Sequence, residues 1–275
     1  MFIRNNKNVI GNKAIFYSGK IKRMRYSFIL ITLLIISFSC KTPLSVSSVQ
    51  MENISNQPSS FSDDSAIVRL VAPYRQSLEE DMSEVLAISS EELSKAKPES
   101  KLSNFVADLL MNSGKSYCRM NNKAFSPDMA FVNYGGLRTS LPRGEVTVGK
   151  IYELMPFENE MVLLKLSGAT MMEFLKQVAA RGGDGIAGVK LGIQADGSIS
   201  SLQIGGRTFN EAQDYWLVTN DYIAGGGDAM TMLAEATEYL GTGLRIRDLI
   251  IDSLKQNYKD GKRIRIELDG RFYYE

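Results

Sequence analysis

The sequence predicts an α+β fold, a single domain with a mixed β-sheet and flanking helices, from three observations. Short apolar runs that fit strands occur beside longer segments with helical periodicity; they follow one another without a regular βαβ rhythm; and no internal repeat is present. With 44% hydrophobic and 23% charged residues, the 275-residue chain has the composition of a cored protein rather than a disordered one. Periodicity begins at about Ile67, so residues 67–275 are assigned to the domain.

The elements follow in order. In "LSNFVADLLMNSG", Leu102, Phe105, Val106, Leu109 and Leu110 share one helical face, and Gly114 is placed to close the helix. "MAFVN", residues 129–133, is short and apolar and stops at Gly135 and Gly136, as a buried strand does when it ends in a tight turn. "TVGKIYELM" reads as a short helix capped by Thr147, "MVLLKLS" as a strand and "ATMMEFLKQVAA" as a helix. "DYWLVTN" is a further strand, "IRDLIIDSLKQN" a helix and "RIRIEL" a closing strand.

Ahead of the domain the chain changes character. Lys20, Lys22, Arg23 and Arg25 precede an apolar run from Phe28 to Phe38 that is short for a membrane span, the pattern of a signal peptide over residues 1–39. Residues 1–19 read as an over-extended start, with Met24 as the alternative. Cys40, preceded by Ser37 and Ser39, is similar to a bacterial lipobox cysteine that is lipidated and becomes the mature N-terminus; an uncleaved signal anchor is the competing reading. Residues 40–66 are serine-rich without apolar period and fit a flexible tether.

Charge and residue counts exclude several function classes. Lys and Arg total 32 against 31 Asp and Glu, so no net field draws the chain to nucleic acid. Histidine is absent, which removes Ser-His-Asp and Cys-His catalysis and the commonest zinc and iron ligand. Two cysteines, Cys40 and Cys118, do not make a disulfide framework. Gly183, Gly185 and Gly188 satisfy G-x-G-x-x-G but follow a helix and lead toward a strand, the reverse of the order that binds pyrophosphate. "GKS" at 114–116 lacks the upstream glycine of a P-loop, since Leu109 stands there. Cys118 reads as a small buried residue rather than a nucleophile.

One set of residues remains. In "NYGGLR", Gly135 and Gly136 allow a positive-φ turn and close approach of a ligand, Asn133 offers a donor and an acceptor, and Arg138 a planar charged fork. Alone, this is equally a turn with a capping asparagine and a surface arginine. "MPFENE" at 155–160 adds Phe157, and "TNDYIAGGGDAM" at 219–230 adds Tyr222 and Asp228. Two rings, an amide, a guanidinium and a carboxylate suit a nucleoside: rings for the base, the amide for its edge, the carboxylate for ribose hydroxyls, the arginine for phosphate. Core packing of the rings and an N-cap role for Asp228 remain open at this point.

The ordered series "NYGGLR", "GEVT", "PFEN", a strand ending "SG", and "NDYIAGGGD" resembles the C-terminal, substrate-binding domain of the 5'-nucleotidase family, over about Glu84 to Asp260. The resemblance implies that fold, with Phe157 and Tyr222 clamping the base, Asn133, Gly135, Gly136, Arg138 and Asp228 as further contacts, and Gly188 near the base. Where the family carries an arginine ahead of "ESKLSN", this chain has Lys95 and Lys97, and Tyr222 stands where phenylalanine is frequent. The family's N-terminal metallophosphatase domain holds two metals through histidine-containing motifs, which a chain without histidine does not carry.

The expectation is therefore a nucleoside or nucleoside 5'-monophosphate recognition subunit of a nucleotidase, with no catalytic, cofactor or metal-binding residue of its own. A separate metallophosphatase chain would supply the divalent metals, and a lipid anchor would hold the protein in the bacterial envelope, facing the periplasm or the outer surface. The alternative is a non-catalytic nucleoside-binding lipoprotein. If Cys40 carries the lipid, Cys40→Ala changes both detergent-phase partitioning and mature mass; unchanged mass and partitioning would leave a signal anchor.

Overall fold

The computed structural model describes residues 64–275; the leader at 1–39, Cys40 and residues 41–63 lie outside the described residues. Asp64 caps the first helix, α1 (Ser65–Ser83), accepting a hydrogen bond from Ala66 N at 2.8 Å. Then come β1 (Val85–Ser89), α2 (Lys101–Met120), β2 (Met129–Val132), β3 (Gly144–Thr147), α3 (Val148–Leu154), β4 (Glu160–Ser167) and α4 (Gly168–Ala180). The second half holds β5 (Gly185–Ala187), β6 (Val189–Ile193), β7 (Ile199–Ile204), β8 (Arg207–Thr208), β9 (Asp214–Asn220), α5 (Asp221–Ala224), β10 (Glu238–Arg245), α6 (Ile246–Lys259) and β11 (Phe272–Tyr274). Helices and strands mix as the sequence predicts, and the class is α+β.

A five-stranded sheet in the order β10-β4-β9-β2-β5 divides the interior. Successive side chains on a strand face opposite ways, so alternate residues feed different cores. Ala130, Val132, Met161, Leu163 and Val218 join a cluster with Leu102, Val106 and Leu110 of α2 and Ile250 and Leu254 of α6. Their neighbours Met129, Phe131, Val162, Leu164 and Leu217 face Phe174 and Leu175 of α4 and the inner side of a second sheet, β11-β6-β7-β8. A two-stranded sheet, β1-β3, completes the α2 side. Trp216 of β9 borders the α2-side core, stacked on Phe125 with ring centroids 3.6 Å apart. α1 differs from the other long helices in burying no residue.

Capping chemistry sets the helix starts. Ser100 and Ser103 form a reciprocal capping box at α2, and Thr147 and Ser167 cap α3 and α4 through Lys150 N and Thr170 N. Two expectations fail here. Gly114 does not close α2, which runs on to Met120; a Cβ there would lie 3.1 Å from Val218 Cγ2 and 3.2 Å from Pro127, so glycine serves helix-on-sheet contact instead. "RIRIEL" forms no strand: its alternation is real, with Ile264 buried between exposed arginines, but pairing stops at one bridge to Ser89, and the closing strand is β11. Cys118 is buried, and that burial raises its thiol pKa.

Phe131 and Phe174 pack edge to face, centroids 5.0 Å apart at 78°, and both are fully buried. Phe174→Ala is expected to lower unfolding free energy by about 3–5 kcal/mol in urea titration, and a loss below about 1 kcal/mol would show that the α4-side core collapses around the void.

Candidate functional site

Sheet register explains why three distant stretches meet. β2 and β9 run parallel, with Ala130 opposite Val218, and β4 runs antiparallel to β9, with Met161 opposite Asn220. The chain therefore leaves β2 at Asn133, leaves β9 at Asn220 and enters β4 at Glu160 at one end of the central strands. Between these ends lies a cleft of about 290 Å³ lined by Asn133, Gly135, Gly136, Arg138, Phe157, Asn159, Tyr222 and Asp228. Its volume is close to the lower end, roughly 300 Å³, of small-molecule sites. Larger depressions of about 730 and 690 Å³ open between α2 and α6 and beside β6, without this combination of rings and charges.

The two rings are cleft residues rather than core: Phe157 is 42% and Tyr222 47% exposed. The loop bearing Phe157 is held from α6 by Arg247, a 3% exposed side chain paired with Glu158 and stacked 4.1 Å from the Tyr152 ring centroid. Tyr222 lies against bare backbone, because a Cβ at Gly227 would come within 2.5 Å of its Cε1 and Cζ.

Asp228 is the hub. Its Oδ2 accepts from Asn133 Nδ2 at 2.8 Å and Arg181 NH2 at 3.3 Å, and its Oδ1 from the Tyr222 hydroxyl at 2.9 Å. It caps no helix; it sits in a 3-10 turn with φ of 53°, followed by Ala229 at 62°, left-handed conformations unfavourable for both residues. Nor does Asn133 cap: its amide is buried and turned to Asp228, with Oδ1 3.4 Å from Asn220 Nδ2.

Gly135 and Gly136 line the cleft, but neither adopts the expected positive φ; they form the 3-10 turn Tyr134–Gly136. At Gly136 space is the reason for glycine, since a Cβ there would sit 2.8 Å from Asn133 Oδ1; at Gly135 a Cβ would meet nothing closer than 3.7 Å. Arg138 is exposed, donates to Gly135 O at 3.2 Å, lies 5.9 Å from the Phe157 ring centroid and has no carboxylate within 4.0 Å among the described residues. Gly188 does not join the cleft. It lines the depression beside β6, where its φ of 76° and the Asp128 carbonyl, 2.5 Å from a would-be Cβ, require glycine.

Sequence reading missed Arg181 and Asp184 behind this surface, and marked Lys95 only as standing where the family carries an arginine. Arg181 donates to Asp184 Oδ2 at 3.2 Å and to the Asp228 carbonyl at 2.7 Å, and Asp184 Oδ1 accepts from Tyr134 N at 2.7 Å. The signal was "RGGD" at 181–184, charges around a glycine pair at a helix end. Lys95 donates to the carbonyls of Tyr134 and Leu137, at 3.2 and 2.7 Å, and so binds the Asn133–Arg138 turn from below. Burial, then the Arg138 charge, lower its pKa. Among the lining residues Arg138 and Asp228 thus bring charges of both signs to the cleft, with Arg181 paired to Asp228 behind it. Asn159, within "PFEN", is the remaining lining residue that was not foreseen.

Fold and site define a class: an α+β domain whose central strands end in an aromatic cleft with charges of both signs. The family model for the 5'-nucleotidase, C-terminal domain, matches residues 82–235, more than half of the chain, and the chain belongs to that family. It is 25% identical to a 5'-nucleotidase of Vibrio cholerae over 204 residues, 72% of this chain and 36% of the relative. It is 28% identical to protein UshA of Escherichia coli over 121 residues, 42% of this chain and 22% of the relative. The structure of a 5'-nucleotidase precursor from Thermus thermophilus superposes with a TM-score of 0.63 at 26% identity, covering 79% of this chain and 44% of that one. The chain thus spans about a third of the Vibrio relative's length.

The acids titrate in opposite directions. Burial alone would raise Asp228, but hydrogen bonds from Asn133 and Tyr222 and the Arg181 guanidinium outweigh it and hold the carboxyl below the ordinary value. At Asp184 burial prevails over Tyr134 N and Arg181 and raises the pKa. The folded state binds the Asp228 proton less tightly than the unfolded chain does. Its stabilisation is therefore present above the unfolded value of about 3.9 and lost as pH falls through the folded value. The Asp184 penalty has the opposite sign and is relieved as pH falls through its raised pKa. Asp228→Asn is expected to flatten the loss of thermal stability on acidification from about pH 6 to about pH 2; a Tm profile parallel to wild type would contradict the assignment.

Proposed function

We propose that this chain is the nucleoside- and nucleotide-recognition subunit of a 5'-nucleotidase-type phosphohydrolase system in nucleotide catabolism, acting with a separate metallophosphatase chain at the bacterial cell envelope. The observation that supports this best is the cleft, where two exposed rings open beside a carboxylate and a guanidinium without an acidic partner among the described residues. In this reading a base stacks between Phe157 and Tyr222, Asn133 and Asn159 stand near its edge, Asp228 accepts from the sugar, and Arg138 faces the phosphate. The names of the relatives, 5'-nucleotidase and nucleotide phosphoesterase among them, support a phosphate-ester ligand.

Divalent metals enter through the partner. No histidine occurs in the 275 residues, and among the described residues no three His, Cys, Asp or Glu side chains are grouped to hold a metal ion. The residues present do not fit a dimetal centre, and no hydrolytic step is assigned to them. What they contribute is binding energy: holding the nucleoside positions the phosphate for chemistry on another surface. Lipidation at Cys40 would place both chains at one membrane face.

Calorimetric titration with adenosine, AMP and adenine tests the reading, together with phosphate release from AMP by the cognate phosphatase with and without this chain. Phe157→Ala or Tyr222→Ala is expected to weaken nucleoside binding roughly 5- to 150-fold, the worth of about 1–3 kcal/mol of stacking. Arg138→Ala should weaken AMP more than adenosine. Binding that survives both ring replacements would refute the clamp, and nucleoside binding that never alters phosphate release would leave a non-catalytic binding lipoprotein.

A further inference from the structure

We propose that the Tyr222 hydroxyl is a specificity determinant that limits Asp228 to reading a single sugar hydroxyl, so that the cleft senses the loss of one of the two ribose hydroxyls and not of the other. The inference rests on the reading of the cleft as a nucleoside site. An ionised carboxylate offers about four acceptor positions. Three of those on Asp228 are taken by protein donors: Tyr222 OH, Asn133 Nδ2 and Arg181 NH2. One remains for a ligand, where a vicinal diol brings two donors.

None of the three is free to step aside. Asn133 is buried, and its Oδ1 lies 3.4 Å from the Asn220 side-chain amide. Arg181 is fixed by Asp184 and by the Asp228 carbonyl. The Tyr222 ring is backed by Gly227, and its hydroxyl is held from both directions, donating to Asp228 Oδ1 and accepting from Asp228 N at 3.1 Å. Of the three, the tyrosine hydroxyl alone can be deleted without disturbing a buried group, and phenylalanine keeps the ring.

The test titrates adenosine, 2'-deoxyadenosine, 3'-deoxyadenosine and 2',3'-dideoxyadenosine into wild type and Tyr222→Phe, with thermal unfolding alongside. In wild type, loss of one particular hydroxyl should weaken binding, and loss of both should weaken it no further. In Tyr222→Phe the affinity ratio of adenosine to the dideoxy analogue should rise by about tenfold or more, the worth of one added hydrogen bond to a charged acceptor. A purely structural role for the hydroxyl would shift all four affinities together and leave that ratio unmoved. An unmoved ratio, additive losses for the two hydroxyls in wild type, or equal wild-type affinity for all four ligands would overturn the assignment while leaving the nucleoside site standing. Failure of wild type to bind any of them would remove the site reading itself, and this inference with it. The wild-type series decides whether a single hydroxyl is read even if the variant does not fold.

Discussion

The parallel pairing of β2 with β9 fixes where both strands leave the sheet, and β4 enters it beside them. Asn133, Asn220 and Glu160 thereby become neighbours although 87 residues separate the two asparagines. Both strands are buried on both faces, so a slip of one residue would exchange their side chains between the two cores. Phe131 would lose Phe174, and Val132 would leave the α2 side. The cleft inherits its geometry from a register that hydrophobic packing enforces.

On that frame the polar groups form a relay from interior to surface. Asp184, whose side chain is fully buried, orients Arg181; Arg181 orients the Asp228 loop; Asp228 then holds Asn133 and Tyr222. A half-satisfied set of this kind destabilises a fold, whereas each carboxylate oxygen here has a donor. The same bonds offset the unfavourable backbone at Asp228 and Ala229, which gives the aromatic wall a defined place before any ligand arrives.

Local rules made most regular elements legible. Capping at Thr147, the apolar face of α2 and the runs of β2, β4 and β9 were readable, as were seven of the eight residues of the cleft. What stayed hidden depends on contacts across the fold. Nothing near Gly114 announces that Val218 will press against it, nor does anything near Gly136 announce that Asn133 will turn back over it. Arg181, Asp184, Lys95 and Arg247 act through partners as many as 90 residues away, and each reads locally as a solvated charge. "RIRIEL" fails for a related reason: alternation describes a surface that fits a sheet but does not provide a neighbouring strand to complete it.

The chain's one tryptophan, Trp216, gives the fold an optical asymmetry. Stacked on Phe125 at the border of the α2-side core, its emission follows that half of the interior, whereas the α4-side core is silent to it. Fluorescence and circular dichroism should trace one transition only if the shared sheet makes the two halves melt together. A lag between the two signals would reveal that the sheet joins them without making them one cooperative unit.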